Sequence, residues 1–190
     1  NMVEQQADEA IDSEFEQEKH LKLLSIGRFS YQKNFDNVPE ICRFILKSGL
    51  NVKWYLLGFG GDEQLIRENI GKYGMKDKVI ILGKKDNPYP YIKNCDIYVQ
   101  PSRYEGKAVT VREAQILHKP IIITDFPTAR SQVEDGYDGV IVPLDNEGCA
   151  DGIVRVIKDR ALKNQLIENM KKTEYSNENE IEKIYRLMRV

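Results

Sequence analysis

Short apolar runs return along this chain at intervals of a few dozen residues, each ending in glycine or a polar loop, and this rhythm limits the fold more than any other feature. The runs are Leu21–Ile26 (LKLLSI), Val52–Leu57 (VKWYLL), Val79–Leu82 (VIIL), Asp96–Val99, a run opened by Pro120 and stopped by Asp125, and Val140–Val142. Helical patterns lie between them. Asp36–Lys47 carries Val38, Ile41, Phe44 and Ile45 at helical spacing before Gly49, and a polar helix with Leu65, Ile66 and Ile70 facing inward ends at Gly74. Tyr91–Asn94 reads as a helical turn, Ala129–Val133 as a short helix and Gly136–Gly139 as a turn. From Asn146 onward the pattern is helical, with breaks near Asp159 and Ser176. Strands that are apolar throughout, alternating with helices, predict a parallel sheet covered on both faces: a doubly wound, Rossmann-like α/β domain over residues 21–175. Residues 1–20 are acidic and polar and are read as a linker or tail outside the core, and 176–190 as a C-terminal helix.

Composition removes several function classes. A formal net charge of −2 argues against a nucleic-acid partner, which calls for a basic surface. The three cysteines, Cys42, Cys95 and Cys149, lie far apart among apolar residues and are read as reduced core thiols. With two histidines, His20 and His118, they match no familiar zinc spacing, so no metal site is expected. No apolar run approaches the roughly 20 residues of a membrane helix, and the N-terminus carries acids where a signal peptide carries bases. A cytoplasmic location is expected. The opening Asn-Met is read as the edge of a longer protein.

In an open parallel sheet, ligands bind beyond the carboxyl ends of the strands. Four loops fall on that edge: Gly27–Asn34, Gly58–Gly61, Gly83-Lys84 and Pro101–Gly106. Arg28 and Lys33 supply a guanidinium fork and an ammonium, the pair that suits a diphosphate. The stretch Tyr98–Asp125 runs from a strand through a glycine loop to a helix N-terminus, where backbone N–H groups favour phosphate. Two carboxylates flank that cradle, Glu105 in the loop and Glu113 on the helix, and suggest a ligand with both phosphates and sugar hydroxyls. No GxGxxG follows the first strand and no GxxxxGK[ST] occurs, which weighs against a nicotinamide-dependent enzyme and a Walker-type nucleotide hydrolase. His118 stands alone at a helix end and is read as a helix C-terminal partner.

Taken together, Pro101-Ser102-x-x-Glu105-Gly106 with a second acid at Glu113, Gly27-Arg28 with Lys33, Lys119–Asp125, and Glu134-Asp135-Gly136-x-x-Gly139-x-x-Val142 resemble glycosyltransferase family 4. The resemblance covers residues 21–160 in order. It implies a GT-B enzyme of two Rossmann-like halves, of which this chain is the C-terminal, donor-binding one. It implies a retaining transferase that moves a sugar from a nucleoside diphosphate to a glycan or lipid-linked acceptor. Arg28 and Lys33 would hold the diphosphate, and the backbone at Lys107, Ala108 and Val109, after Gly106, would cradle its distal phosphate. Glu105 would serve the transferred sugar and the charge developing at its anomeric carbon. Glu113 would take the ribose hydroxyls, main chain at Gly83-Lys84 the base, Gly58–Gly61 would let the sheet edge come close to the nucleotide, and Gly27 would belong to the same donor-binding site.

The chain departs from the family where Lys107-Ala108 replaces Phe-Gly, Ile116-Leu117-His118 replaces Ala-Cys-Gly, and Asn34 replaces a glycine after Lys33. No cofactor and no metal are expected beyond the donor. An N-terminal acceptor-binding domain is the expected partner, with Phe29, Phe59 and Tyr104 exposed toward it, and possible peripheral membrane association is expected through that missing half. The isolated chain is expected to bind donor weakly and to transfer nothing. The alternative is a non-catalytic nucleotide-sugar-binding module of the same shape.

Overall fold

The computed structural model describes residues 2–11, 15 and 20–175. Its centre is a six-stranded sheet, with β1 at Leu21–Ile26, β2 at Val52–Leu57, β3 at Val79–Gly83, β4 at Ile97–Gln100, β5 at Ile121–Thr124 and β6 at Val140–Val142. The strand order is β3-β2-β1-β4-β5-β6, and every pairing is parallel. The chain therefore builds outward from β1 to β3, crosses back, and builds outward again from β4. The strand order reverses between neighbouring β1 and β4, the switch point at whose carboxyl ends ligands bind in sheets of this kind.

Seven helices surround the sheet among the described residues: α1 Met2–Gln6, α2 Val38–Lys47, α3 Glu63–Lys72, α4 Tyr89–Asn94, α5 Val109–Ile116, α6 Asn146–Lys158 and α7 Arg160–Lys172. Pro39 in the first turn of α2 costs no hydrogen bond, because that N–H has no intrahelical acceptor. Asp145 caps α6 by accepting from Gly148 N at 2.7 Å, and Asp159 both ends α6 and caps α7 by accepting from Leu162 N at 2.9 Å. The central strands are buried on both faces, as β4 and β5 show at every residue.

One polar chain crosses this core. Trp54 Nε1 on β2 donates to Ser25 Oγ on β1 at 2.9 Å, and Ser25 Oγ donates to the Val99 carbonyl on β4 at 2.6 Å. Burial without partners would be costly for both groups, so this chain fixes the register of three strands as well as their contact.

Several sequence expectations change. Val3, Ala7 and Phe15 are buried, so the acidic stretch 1–20 is not wholly outside the core. Phe15 lies edge-on to Tyr55 and Tyr91, with ring centroids 4.7 and 5.2 Å away. Asn87 Nδ2 donates to the Gln6 carbonyl at 2.9 Å and Lys93 pairs with Asp8, which fastens α1 beside α4. Leu65 is exposed, and only Ile66 and Ile70 bury on α3. Residues 176–190, expected as a C-terminal helix, lie outside the described residues. The three cysteines are free and buried, and burial pushes each thiol up to about 12, so none is a nucleophile at neutral pH. Among the described residues no helix is long and apolar enough to cross a membrane.

Candidate functional site

The crevice between the loops after β1 and β4 gathers most of the residues singled out in the sequence. The first loop turns through a short 3-10 segment, Tyr31–Lys33, and leaves it at Asn34 with φ 61°, a left-handed conformation that asparagine tolerates. Asn34 Nδ2 donates to the Pro101 carbonyl of the second loop at 2.9 Å, so this residue both makes the turn and joins the two loops. Arg103 adds a second tie. Its guanidinium forks onto both oxygens of Asp36 at 2.9 and 2.8 Å, and its plane lies 4.0 Å from the Tyr31 ring centroid. The Asp36 hydrogen bonds hold that guanidinium even more firmly protonated than usual.

Within this frame Glu105 is buried and turned inward. Its Oε1 accepts from Lys33 Nζ at 2.5 Å, Ser102 Oγ at 2.6 Å and Gln100 Nε2 at 3.1 Å, while Gln32 Nε2 lies 3.4 Å from Oε2. A buried carboxylate without such partners would be expensive, and here one full positive charge and neutral donors offset its desolvation. Lys33, expected to face a diphosphate, and Glu105, expected to face a sugar, are hydrogen-bonded to each other. Gly27 makes room for that pair, because a Cβ there would meet Lys33 Cε at 3.1 Å. Arg28 is exposed; its carbonyl accepts from Ser30 Oγ at 3.5 Å, and its guanidinium makes no hydrogen bond or ion pair among the described residues.

The loop reaching α5 is more occupied than its sequence suggests. Of the expected phosphate-binding amides, that of Ala108 already donates to Gln132 Oε1 at 2.8 Å. Val109 opens α5 and is exposed, and as a first-turn residue its amide has no intrahelical acceptor. Gly106 and Lys107 are exposed. Glu113 is half-buried on α5 and receives the Tyr89 hydroxyl at 3.4 Å. Burial raises its carboxyl above the usual range, and the Tyr89 hydrogen bond pulls the other way.

On the far side of the crevice, Gly58 and Gly60 have a different duty from the one expected. A Cβ on Gly58 would lie 1.9 Å from the Gly27 carbonyl oxygen, and one on Gly60 2.2 Å from that of Phe29. These glycines let the loop after β2 nest on the loop after β1, whatever they do for a ligand. Gly83 has φ 73°, and its carbonyl accepts from Gly58 N at 2.9 Å. Lys84 is exposed with its ammonium 5.8 Å from the Phe59 ring. Phe59 and Tyr104 are exposed as expected, but Phe29 is fully buried, edge-on to Phe35 at 5.8 Å. His118 sits at the opposite end of α5 with φ 52°, bearing the strain of a left-handed cap where the resembled family has glycine.

Sequence reasoning missed Gln32, Gln100, Thr128, Gln132 and the Arg103–Asp36 pair. Gln100, a polar residue ending an otherwise apolar strand, was the available signal. Nothing local marked Gln132, whose nearness to Ala108 arises from β4 and β5 being neighbours.

Comparison with known proteins agrees with this geometry. The family described as glycosyl transferases group 1 matches residues 6–173. The chain is 25% identical over 150 residues to an alpha-D-kanosaminyltransferase from Streptomyces kanamyceticus, covering 77% of this chain and 39% of that protein. It is 28% identical over 171 residues to the capsular polysaccharide biosynthesis glycosyltransferase CapM of Staphylococcus aureus, covering 85% and 45%. Among solved structures, a mutant of S. aureus TarM in complex with fondaparinux, alpha-GlcNAc-glycerol and UDP superposes with TM-score 0.79 at 23% identity, covering 90% of this chain and 36% of that one. The chain thus spans well under half the length of these curated relatives.

Proposed function

Because the chain belongs to the glycosyl transferases group 1 family, we propose that it is the donor-binding half of a retaining glycosyltransferase that transfers a sugar from a nucleoside diphosphate to a glycan or lipid-linked acceptor. The observation that carries this reading is one arrangement. A buried carboxylate, Glu105, is paired with Lys33 at 2.5 Å beside the open N-terminus of α5, in the crevice between β1 and β4. That supplies a fixed negative charge for a sugar and movable positive charges for phosphates within one loop pair. The UDP in the TarM complex supports a nucleoside diphosphate as ligand class, and the capsular relative supports a polysaccharide as product class.

Each residue then has a task. An ammonium has three donors, so Lys33 can keep Glu105 and still turn toward a diphosphate. Arg28, exposed beside it, adds a bidentate fork, and the amides opening α5 take the distal phosphate. In the transfer, the bond from the anomeric carbon to the distal phosphate oxygen breaks and the acceptor oxygen bonds to the same face of that carbon. The acceptor's proton leaves with the diphosphate. Arg28, Lys33 and the α5 amides stabilise the charge gathering on the departing oxygens, and we assign this role to them with no metal or cofactor taking part. Glu105, held by Ser102 and Gln100, faces the positive charge at the sugar. Glu113 accepts two hydrogen bonds from the ribose diol. The acceptor belongs to an N-terminal domain outside this chain, which also carries any association with the inner membrane face.

Calorimetry with UDP, GDP and ADP tests the reading. At least one should bind this chain, weakly, with no transfer by the chain alone. Failure of all three at millimolar concentration would overturn it, and measurable transfer by these 190 residues would refute the division of labour between two domains.

A further inference from the structure

The loop that carries both Glu105 and the phosphate-facing amides buries Glu105 and Ala108 and leaves Gly106 and Lys107 between them exposed. Gly106, Lys107 and Ala108 border a cavity of about 260 Å³ whose other walls include Val111, Arg112 and Gln132. A Cβ on Gly106 would touch nothing within 4 Å. Beyond the side-chain bonds of Glu105, the backbone of this loop is held by a pair of side chains from the segment after β5. Thr128 Oγ1 donates to the Glu105 carbonyl at 2.6 Å. The Gln132 amide grips the loop at two points, with Oε1 accepting from Ala108 N at 2.8 Å and Nε2 donating toward the Gly106 carbonyl at 3.3 Å. Its Nε2 also donates to Thr128 Oγ1 at 3.2 Å, so the two side chains brace each other.

Gripping the C=O of one residue and the N–H of the residue two further on is what a paired strand does to its neighbour, and it fixes the backbone on both sides of Lys107. Gln132 is itself anchored, since its carbonyl accepts from the buried Gln115 at 3.1 Å and Gln115 also donates to Asp138 at 2.9 Å.

We propose that Gln132, braced by Thr128, is a positioning residue for the donor's distal phosphate: it clamps the 105–108 loop so that the amides opening α5 are preset for the anion. The proposal rests on the donor-binding reading above. Because the clamp consumes the Ala108 amide, the phosphate is met by the amides that follow it.

The test compares Gln132→Met, which keeps the side-chain volume and removes both grips, with the unaltered chain, by calorimetry on UDP and UMP. The variant should lose about tenfold in UDP affinity, the equivalent of one to two hydrogen bonds, with UMP affinity and melting temperature unchanged. Thr128→Val should shift the UDP-to-UMP ratio in the same direction by less. Equal losses for both nucleotides, or no change in either, would overturn the clamp. Amide exchange at Ala108 reads it without ligand: exchange should speed up at least tenfold in Gln132→Met, and an unchanged rate would also overturn it. If the unaltered chain binds no nucleoside diphosphate, the donor reading fails and this inference falls with it, an outcome the exchange measurement distinguishes from a failed clamp.

Discussion

Glu105 and Glu113 stand on either side of one glycine loop, yet their surroundings are opposite. Glu105 is almost closed off, with Oε1 shared by Lys33, Ser102 and Gln100. Glu113 is half-buried and has one long contact, 3.4 Å from the Tyr89 hydroxyl. The first carboxylate is fixed before any ligand arrives and has little capacity left to bind one. The second is incompletely satisfied and can gain from new donors. On the proposed reading, that difference would suit Glu105 to the reaction and Glu113 to affinity.

The sharpest way to break that division is Glu105→Gln in the two-domain protein. It keeps the shape, removes the charge and leaves Lys33 without its partner, and should lower kcat about 10²–10³-fold. Affinity for the nucleoside diphosphate should change little, and a parallel loss of affinity would erase the distinction. Glu113→Ala should do the reverse, weakening the nucleoside diphosphate roughly 10–100-fold through two lost charge-assisted hydrogen bonds, as calorimetry would show.

A pH series sharpens the same contrast. Burial holds the Glu113 carboxyl above its ordinary range, so the folded state favours the protonated form. Its contribution to stability is thus present at low pH and lost as pH rises through the raised value. Ligand binding needs the charged form, so affinity should decline on acidification earlier than an ordinary carboxylate would cause, and Glu113→Gln should abolish that acid limb. A limb that survives in the variant belongs to another group, the terminal phosphate being the first to test.

The smallest effect belongs to Arg103→Lys. It keeps the charge on Asp36 and loses the fork and the stacking on Tyr31, and should cost about 1–2 kcal/mol in urea unfolding while changing kcat only a few-fold.

The sheet was legible because its strands are short, mostly apolar runs that alternate with helical patterns. In the loops, Arg28, Lys33, Glu105 and Glu113 were named from position, and of these the structure brings Lys33 and Glu105 into contact. Orientation was not legible. Whether Glu105 faces ligand or lysine depends on Gln100, marked only as a polar end to an apolar strand, and on Gln32, which arrives from another segment and carries no local mark. Phe15 was hidden by the acids around it in the sequence, although an aromatic ring gains much by burial. Leu65 failed for the converse reason, since helical spacing gives a stripe but not its edge, and on a helix as polar as α3 only Ile66 and Ile70 are needed.

The nesting of Gly58 and Gly60 on the first loop carries a lesson for recombination between relatives. Neither loop is a separable cassette: a transplanted 58–61 segment meets the carbonyls of Gly27 and Phe29 at less than 2.5 Å if either glycine gains a methyl. Chimeras that alter nucleotide preference in this family would have to exchange the 27–34 and 58–61 segments as one inheritance, and drift in the first loop is constrained by residues thirty positions away.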